Sequence, residues 1–243
     1  MTSPWRSARG CRDTCGVDIH VTDAWRAAFP DAHAGVLVLR SVRNDARSDA
    51  LAAEVERLER QVRQRWGALT RAELAALPTI RAYQQHYRAF GQTYHLLGQL
   101  ESVALKGRHL ASPGGALVSA MFAAEIDHLL LTAGHDVDAV SAPVVLDGSR
   151  EGDRFVGISG REHVLRARDM VMRDAAGIIS AVLAGPDQRT QLRATTSRAM
   201  YVTYAPAGIA LDAVREHLEH IGRLVTLAAP SAVVEGVETY PAV

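Results

Sequence analysis

The fold class is decided by five short runs in the second half of the chain: PVVLDG (143–148), RFVGIS (154–159), DMVMRD (169–174), GIISAVLAG (177–185) and RAMYVTYAP (198–206). Each run is rich in residues that favour strands, and Gly, Asp and Ser residues that favour turns stand between them. The runs therefore predict a mostly antiparallel sheet in this half of the molecule.

The first half has the periodicity of helices. Residues 49–66 are predicted to form an amphipathic helix with Leu51, Val55, Leu58 and Val62 on its apolar stripe. Thr70 and Glu73 have the spacing of a capping box at the start of the next helix.

Three more helical stretches precede the sheet. They cover 80–90, 94–106 and 116–131, and the last is apolar nearly all round, as expected of a helix buried at the centre of a domain. We expect Ser112 and Pro113 to begin this central helix and Thr132 to Gly134 to end it.

The two ends complete the predicted architecture. Residues 17–21 and 34–42 read as strands around a short helix at 23–29 that Thr22 caps, and residues 211–227 form a closing amphipathic helix. Helices followed by strands and one helix predict an α+β fold. We predict one domain over 17–230, a loose leader at 1–16 and a patternless tail at 231–243.

Composition narrows the function classes. The 27 basic and 27 acidic side chains give zero formal charge, so no global basic footprint of a nucleic-acid-binding protein is present. Cys11 and Cys15 lack further ligands at zinc spacing, and no apolar run is as long as a membrane span. We expect a cytoplasmic protein that contacts no membrane.

Motifs for common cofactors are absent. The sequence contains no GxGxxG, GxxxxGK[ST], GxSxG or HExxH motif. Glu125 and His128 form one Glu-x-x-His pair where a di-iron bundle needs two, and His217 and His220 read as a solvated polar face. No metal and no cofactor are predicted.

A group of polar side chains lies among apolar residues on consecutive helices: Arg88, His95, Glu101 and Lys106. If Glu101 faces an apolar cavity, desolvation raises its pKa and suits it to general acid or base catalysis. A surface position is the alternative.

A second group follows the central helix. His135 and Asp136 lie where a helix C-terminus would favour a protonated imidazole, although a structural loop is the alternative. Arg189 has the fork geometry to bind a carboxylate or phosphate, or it braces its turn through Asp187. Thr196 offers a hydroxyl before the last strand.

Four motifs together resemble a known family: YRAFG at 87–91, KG at 106–107, GHDVD at 134–138 and GPDQRT at 185–190, continuing to Thr196. In this order they are similar to the free-standing B3/4 domains, which are related to the tRNA-editing domain of phenylalanyl-tRNA synthetase beta subunits. The resemblance implies a B3/4-like α+β fold with a pocket that holds an amino acid.

It also implies a function, the hydrolysis of misacylated tRNA in trans. On that expectation Glu101 or His135 transfers protons, and a second set of residues binds substrate: Arg88, His95, Lys106, Glu125, Asp136, Arg189 and Thr196.

Two alternatives remain open at this point. One is a small-molecule enzyme for a free aromatic amino acid, such as a Pictet-Spengler condensation with an aldehyde, in which Glu101 is the base and Arg88 or Arg189 holds the carboxylate. The other is a non-catalytic module that binds aminoacyl-tRNA or an amino acid. A homodimer through 49–66 is a further expectation.

Overall fold

The computed structural model describes residues 16–44, 48–110 and 114–242. Cys11, Cys15, Ser112, Pro113 and nearly all of the predicted leader lie outside these ranges. The elements, in chain order, are β1 Ile19–Val21, α1 Asp23–Ala28, β2 His33–Arg40, α2 Asp49–Trp66, α3 Arg71–Ala75, α4 Pro78–Ala89, α5 Leu96–Ala104, α6 Ala116–His128, β3 Thr132–Asp136, β4 Val144–Gly148, β5 Arg154–Val156, β6 Glu162–Val164, β7 Met170–Asp174, β8 Gly177–Ala181, β9 Gly185–Pro186, β10 Arg198–Ala205, α7 Leu211–Ala228 and β11 Val233–Pro241.

One sheet has four antiparallel strands in the order β11, β2, β10, β3. Six of the eight residues of β2 are buried, because α7 packs on this strand. Gly35 permits the close approach, since a Cβ there would lie 2.6 Å from Val214 and 2.7 Å from Leu218. Helices α6 and α2 pack in turn against α7.

The second sheet has five strands in the order β1, β4, β7, β8, β9. Only β1 and β4 pair in parallel in this sheet, and β5 and β6 form a separate antiparallel pair. All five predicted runs contain strands. The α+β fold with a mostly antiparallel second half is confirmed.

Helix α4 connects the two sheets through tyrosine hydroxyls. Tyr83 donates to the carbonyl oxygen of Tyr204 on β10 at 2.5 Å and accepts from the amide of Leu131 at 3.0 Å. Tyr87, one turn further on, donates to the carbonyl oxygen of Val182 after β8 at 2.9 Å. The four-stranded sheet and the five-stranded sheet are thus fixed to the same helix.

The strongest local helix signals are confirmed. Helix α2 has the predicted bounds and begins at Ser48, whose hydroxyl accepts from the amide of Leu51. Thr70 and Glu73 form both hydrogen bonds of the capping box. Among the helices of the described residues, none is both long and apolar enough to cross a bilayer.

Two boundary predictions are wrong. Helix α6 ends at His128, because Leu129 has a left-handed backbone with φ +61°, and residues 132–136 form β3 instead of a helix end. The expected tail contains β11, which pairs with the whole of β2 around a bulge between Val234 and Gly236. The final strand is therefore part of the four-stranded sheet.

Replacing Tyr83 with Phe tests the connection through α4. The ring remains stacked on Tyr94 with centroids 4.8 Å apart, but the Leu131 amide loses its acceptor. We expect a loss of about 1–3 kcal/mol in the free energy of unfolding, measured by urea denaturation. Tyr240→Phe is the matched control on β11. Its hydroxyl donates to Glu238 at a half-buried position where water can replace the bond, so this variant should cost clearly less than Tyr83→Phe. Equal effects of the two variants would contradict the assignment.

Candidate functional site

A cavity of about 430 Å³ lies against β5 and β8 and under the loop that follows β9. We call it the arginine pocket, and its lining residues are Arg154, Phe155, Val156, Ala176, Gly177, Ile178, Asp187, Gln188, Arg189, Gln191 and Arg193. The combination of three guanidinium groups, one carboxylate, two amides and an apolar side matches the size and chemistry of an amino-acid-sized ligand.

Backbone hydrogen bonds fix the loop that forms one side of the arginine pocket. The amide of Asp187 donates to Ile179 on β8 at 2.7 Å, and the amide of Gln188 donates to Val156 on β5 at 2.8 Å. On the other side, the amide of Asp136 donates to the carbonyl oxygen of Thr190 at 2.7 Å. The loop is consequently held on three sides, by β8 of the five-stranded sheet, by β5 of the two-stranded pair and by the end of β3 in the four-stranded sheet.

A buried chain of hydrogen bonds runs from the strands to this loop. Tyr204 and Ser180 hydroxyls lie 2.7 Å apart, Ser180 lies 3.2 Å from His135 Nε2, and His135 Nδ1 lies 2.8 Å from the Thr190 hydroxyl. Thr190 in turn donates its hydroxyl proton to Asp187 Oδ1.

The direction of every bond follows from that last one. Because Thr190 gives its proton to a carboxylate, His135 Nδ1 must donate to Thr190, and Nε2 must then accept from Ser180, which accepts from Tyr204. Each group has a donor and an acceptor, so the chain is satisfied with a neutral imidazole. We call it the His135 chain.

Burial also favours the neutral imidazole. Desolvation lowers the pKa of His135 to about 3, with Asp174 partly offsetting the effect. The expectation of a protonated imidazole at a helix C-terminus is therefore wrong, since helix α6 ends at His128 and His135 lies within strand β3. Its fully buried side chain has the structural role that was the alternative.

Arg189 has the bracing role. Its guanidinium donates to the carbonyl oxygen of Ala139 at 2.8 Å and to Asp174 at 2.8 Å, and its Nε lies 3.6 Å from Asp187 Oδ2. Arg193 is exposed, and in the described part of the chain its hydrogen bonds go only to the carbonyl oxygens of Gln188 and Arg189, at 3.4 Å. Arg193 is therefore the cation of the pocket that no carboxylate neutralises there.

Asp136 and Thr196 meet next to this loop. The Thr196 hydroxyl donates to Asp136 Oδ2 at 2.8 Å and accepts from the amide of Arg193 at 2.9 Å. Asp136 Oδ1 accepts from the amide of Asp138. The pair holds the segment that carries Arg193 against β3, which is a positioning role rather than contact with the pocket.

Glu101, predicted to be a general acid or base, lies between two cations. Its carboxylate lies 2.8 Å from Lys106 Nζ and 3.3 Å from Arg71, and the hydrogen bond from Lys106 lowers its pKa. Glu101 does not face an apolar cavity, so the expected rise in pKa is wrong. Lys106 is accounted for by the same ion pair.

Arg88 and His95 lie elsewhere on the helical half. Arg88 lines a second, open cavity of about 720 Å³ between α3 and α4, which we call the helical groove. His95 is an exposed residue directly before α5. Its ring centroid lies 6.2 Å from that of Tyr87 and 6.0 Å from that of Tyr94. Among the described residues, the linings of the helical groove and of the arginine pocket do not include Glu101. The grouping required for the condensation reaction is thus not assembled in either cavity.

Glu125 lies in the core rather than in a pocket. Its Oε1 accepts from the amide of Thr132 at 2.7 Å. The side chains of Tyr83 and Tyr94 are near it, and neither carries a positive charge that would stabilise an ionised carboxylate. Desolvation raises the pKa of Glu125 to about 8. The carboxyl group is therefore largely protonated in the folded protein near neutral pH.

His217 and His220 are buried, so the prediction of a solvated polar face is wrong. His217 Nε2 lies 2.7 Å from the Thr132 hydroxyl, and the His220 ring stacks on His128 at 5.0 Å. The two histidines face the end of α6, which covers the side of α7 that the flanking Glu residues suggested was in solvent.

Five residues of the His135 chain and its loop were not predicted as functional: Ser180, Asp187, Thr190, Arg193 and Tyr204. Asp187 was considered only as a turn partner of Arg189. Ser180 and Tyr204 lie in apolar strand runs with no local signal. Thr190 and Arg193 lie in or beside the GPDQRT motif, where only Arg189 was singled out.

Neither a protein-family model nor a curated protein matches this chain. A structural match is the crystal structure of an N-terminal fragment of the phenylalanyl-tRNA synthetase beta subunit from Pyrococcus horikoshii, with a TM-score of 0.48 and 9% identity. The match covers 93% of this chain, which spans 55% of that fragment.

Glu125→Gln tests the buried carboxyl group. The folded state holds the Glu125 proton more tightly than the unfolded state, so the side chain's contribution to stability is full below about pH 4.5. It is lost as pH rises towards about 8. The variant should remove this dependence, and its stability relative to the parent should rise by on the order of 2–4 kcal/mol between pH 5 and pH 8.

Urea denaturation across this pH range measures the effect. Glu101→Gln is the control of opposite sign, because the pKa of Glu101 is lowered and its stabilisation is lost on acidification instead. Parallel pH profiles of the parent and Glu125→Gln would contradict a raised pKa.

Proposed function

We propose that this chain recognises the aminoacyl end of a tRNA in the arginine pocket and serves the removal of misattached amino acids. The observation that carries the proposal is the arrangement of Asp187 and Arg193 around one cavity of amino-acid size. The motif resemblance to B3/4 editing domains favours the aminoacyl ester over other ligands with the same charges.

The Asp187 carboxylate is suited to an ammonium group. Asp187 is 4% exposed, and its Oδ1 receives both the amide and the hydroxyl of Thr190, which orients the carboxylate. Among the described residues, Oδ2 has only the long 3.6 Å approach of Arg189. Because the carboxylate is already held in one orientation, little rotational freedom is lost when it binds a ligand ammonium. The His135 chain holds it there through the Thr190 hydroxyl.

Arg193 and Arg154 suit the phosphates that follow the esterified ribose. Arg193 has only carbonyl partners among the described residues, and Arg154 is exposed with Glu162 at 2.7 Å. Guanidinium groups bind phosphate in a forked geometry. Phe155 and Ile178 provide an apolar surface for the amino-acid side chain.

The chemical step of the proposal is deacylation, which we assign to a water molecule held by Asp187. His135 is sealed inside the protein and neutral, and Glu101 is bound between two cations outside the pocket. Asp187 is the carboxylate among the described lining residues of the pocket. With the ammonium on one lone pair of Oδ2, the other can orient a water towards the ester carbonyl and accept its proton, which then passes to the ribose oxygen as the ester bond breaks.

Binding is tested with tyrosyl-tRNA(Phe) whose amino acid is joined by a stable amide. We expect Arg193→Gln and Asp187→Asn each to weaken binding by about 10-fold or more, since each removes a charged contact. Arg81→Gln, in the helical groove, is the matched control and should bind like the parent. Affinity should fall steeply as salt concentration rises.

Other outcomes are decisive. Loss of binding in Arg88→Gln with no loss in Arg193→Gln would move the ligand to the helical groove. Tight, salt-independent binding of free tyrosine would favour a small-molecule function. Release of tyrosine from the natural ester is measured with saturating protein, so that weakened binding does not limit it. Release that is present in the parent and in Arg193→Gln but lost in Asp187→Asn supports hydrolysis by Asp187 separately from binding.

A further inference from the structure

The C-terminal end of α6 and the middle of α7 bring together a compact group of side chains outside the arginine pocket. Asp127 and His128 are the last two residues of α6, and His220 projects from α7. One ligand atom from each residue lies within 4.8 Å of the other two.

The distances are those of metal ligands rather than of hydrogen bonds. Asp127 Oδ2 lies 3.6 Å from His128 Nε2 and 3.7 Å from His220 Nε2. Both separations are too long for hydrogen bonds, but ligands at about 2.1 Å from a tetrahedral zinc ion lie roughly 3.4 Å apart. The third pair, His128 and His220, has ligand atoms within 4.8 Å, so closing the triangle around an ion requires these side chains to approach by up to about 1.4 Å.

One buried atom of this group lacks a hydrogen bond to any described residue. It is Nε2 of His220, whose residue is 8% exposed and which lies 3.7 Å from Asp127 Oδ2. Asp127 is 9% exposed, and its other oxygen, Oδ1, is paired with Arg65 at 3.3 Å. A buried nitrogen such as His220 Nε2 is costly to leave without a partner in the interior of a protein. A cation at the centre of the group would satisfy the imidazole nitrogen.

We propose that Asp127, His128 and His220 bind a divalent first-row transition metal ion, with Zn²⁺ as the preferred occupant. Two imidazole nitrogens and one carboxylate favour zinc and its neighbours over Mg²⁺ and Ca²⁺, which take oxygen ligands. Three protein ligands leave a fourth position for water or a ligand atom. His128 is only partly buried, so that position can be reached from solvent.

Two cations lie beside the group and compete with a bound metal ion. Arg65 lies 3.3 Å from Asp127 Oδ1, and Arg223 lies 3.4 Å from His220 Nδ1. When the metal occupies Nε2, Nδ1 carries the proton and Arg223 has to move away.

The ion would connect two helices of the core. Since α6 supplies two ligands and α7 the third, binding ties the end of α6 to the helix that covers the four-stranded sheet. Zinc at about 100 times its dissociation constant should raise the melting temperature by on the order of 5 °C.

The test titrates the full-length chain, made without a polyhistidine tag, with Zn²⁺ against a chromophoric chelator. We expect one equivalent to bind, with Mg²⁺ unable to compete. His220→Gln and Asp127→Asn should each weaken zinc binding by about 100-fold or more. Losing a residue that only supports a metal ligand costs about 10- to 100-fold, so losing a ligand itself should cost at least the upper value. The double variant Cys11→Ser, Cys15→Ser shows whether the thiols contribute to zinc binding, and it should bind zinc with the affinity of the parent.

His20→Gln is the matched control. His20 Nε2 lies 3.0 Å from Asp18 on the surface, a histidine and carboxylate pair without the buried third ligand, and its loss should not change the affinity. His128→Gln, at a partly exposed position, provides a variant that should fold normally if His220→Gln does not. No bound equivalent in the parent, or equal affinity in His128→Gln and the parent, would overturn the proposal.

Discussion

The His135 chain is the interaction on which the rest of the structure depends. Tyr204 and His135 belong to the four-stranded sheet, Ser180 belongs to the five-stranded sheet, and Thr190 and Asp187 belong to the loop of the arginine pocket. All five groups are buried, so each must find its partner inside the protein. The chain is satisfied only when both sheets and the loop are in their correct relative positions.

This requirement links the packing of the core to the chemistry of the surface. The arginine pocket presents one oriented carboxylate and exposed guanidinium groups without needing a mobile element, because its loop is already tied to β3, β5 and β8. A pocket arranged in advance loses less entropy on binding. The same burial that orients Asp187 removes His135 from contact with any substrate, so the histidine acts through the residues that it positions.

Much of the architecture could be predicted from sequence because its signals are local. The apolar stripe of α2, the Thr70 and Glu73 capping box and the five strand runs each depend on residues that are near one another in the chain. The end of α6 could not be predicted, since the apolar run continues past Leu129 and only its left-handed backbone ends the helix. Strand β11 lacks alternation and exists because β2 offers it a partner.

The site was less predictable because its contacts are distant in sequence. His135 bonds to Thr190 and Ser180, which are 55 and 45 positions away, and no local pattern shows that Glu101 lies between Arg71 and Lys106. The burial of His217 and His220 depends on helix α6 packing over them. In each case the chemistry of the residue was recognisable, and the neighbours that decide its protonation and access were not.

The central claim is that the arginine pocket holds an aminoacyl group with its ammonium on Asp187. A crystal structure of the protein with an amide-linked tyrosyl adenosine analogue tests it most directly. The account predicts the analogue in the arginine pocket, with its ammonium within hydrogen-bond distance of Asp187 Oδ2 and its tyrosyl ring beside Phe155 and Ile178. An analogue seated in the helical groove beside Arg88, with the arginine pocket unchanged, would contradict it.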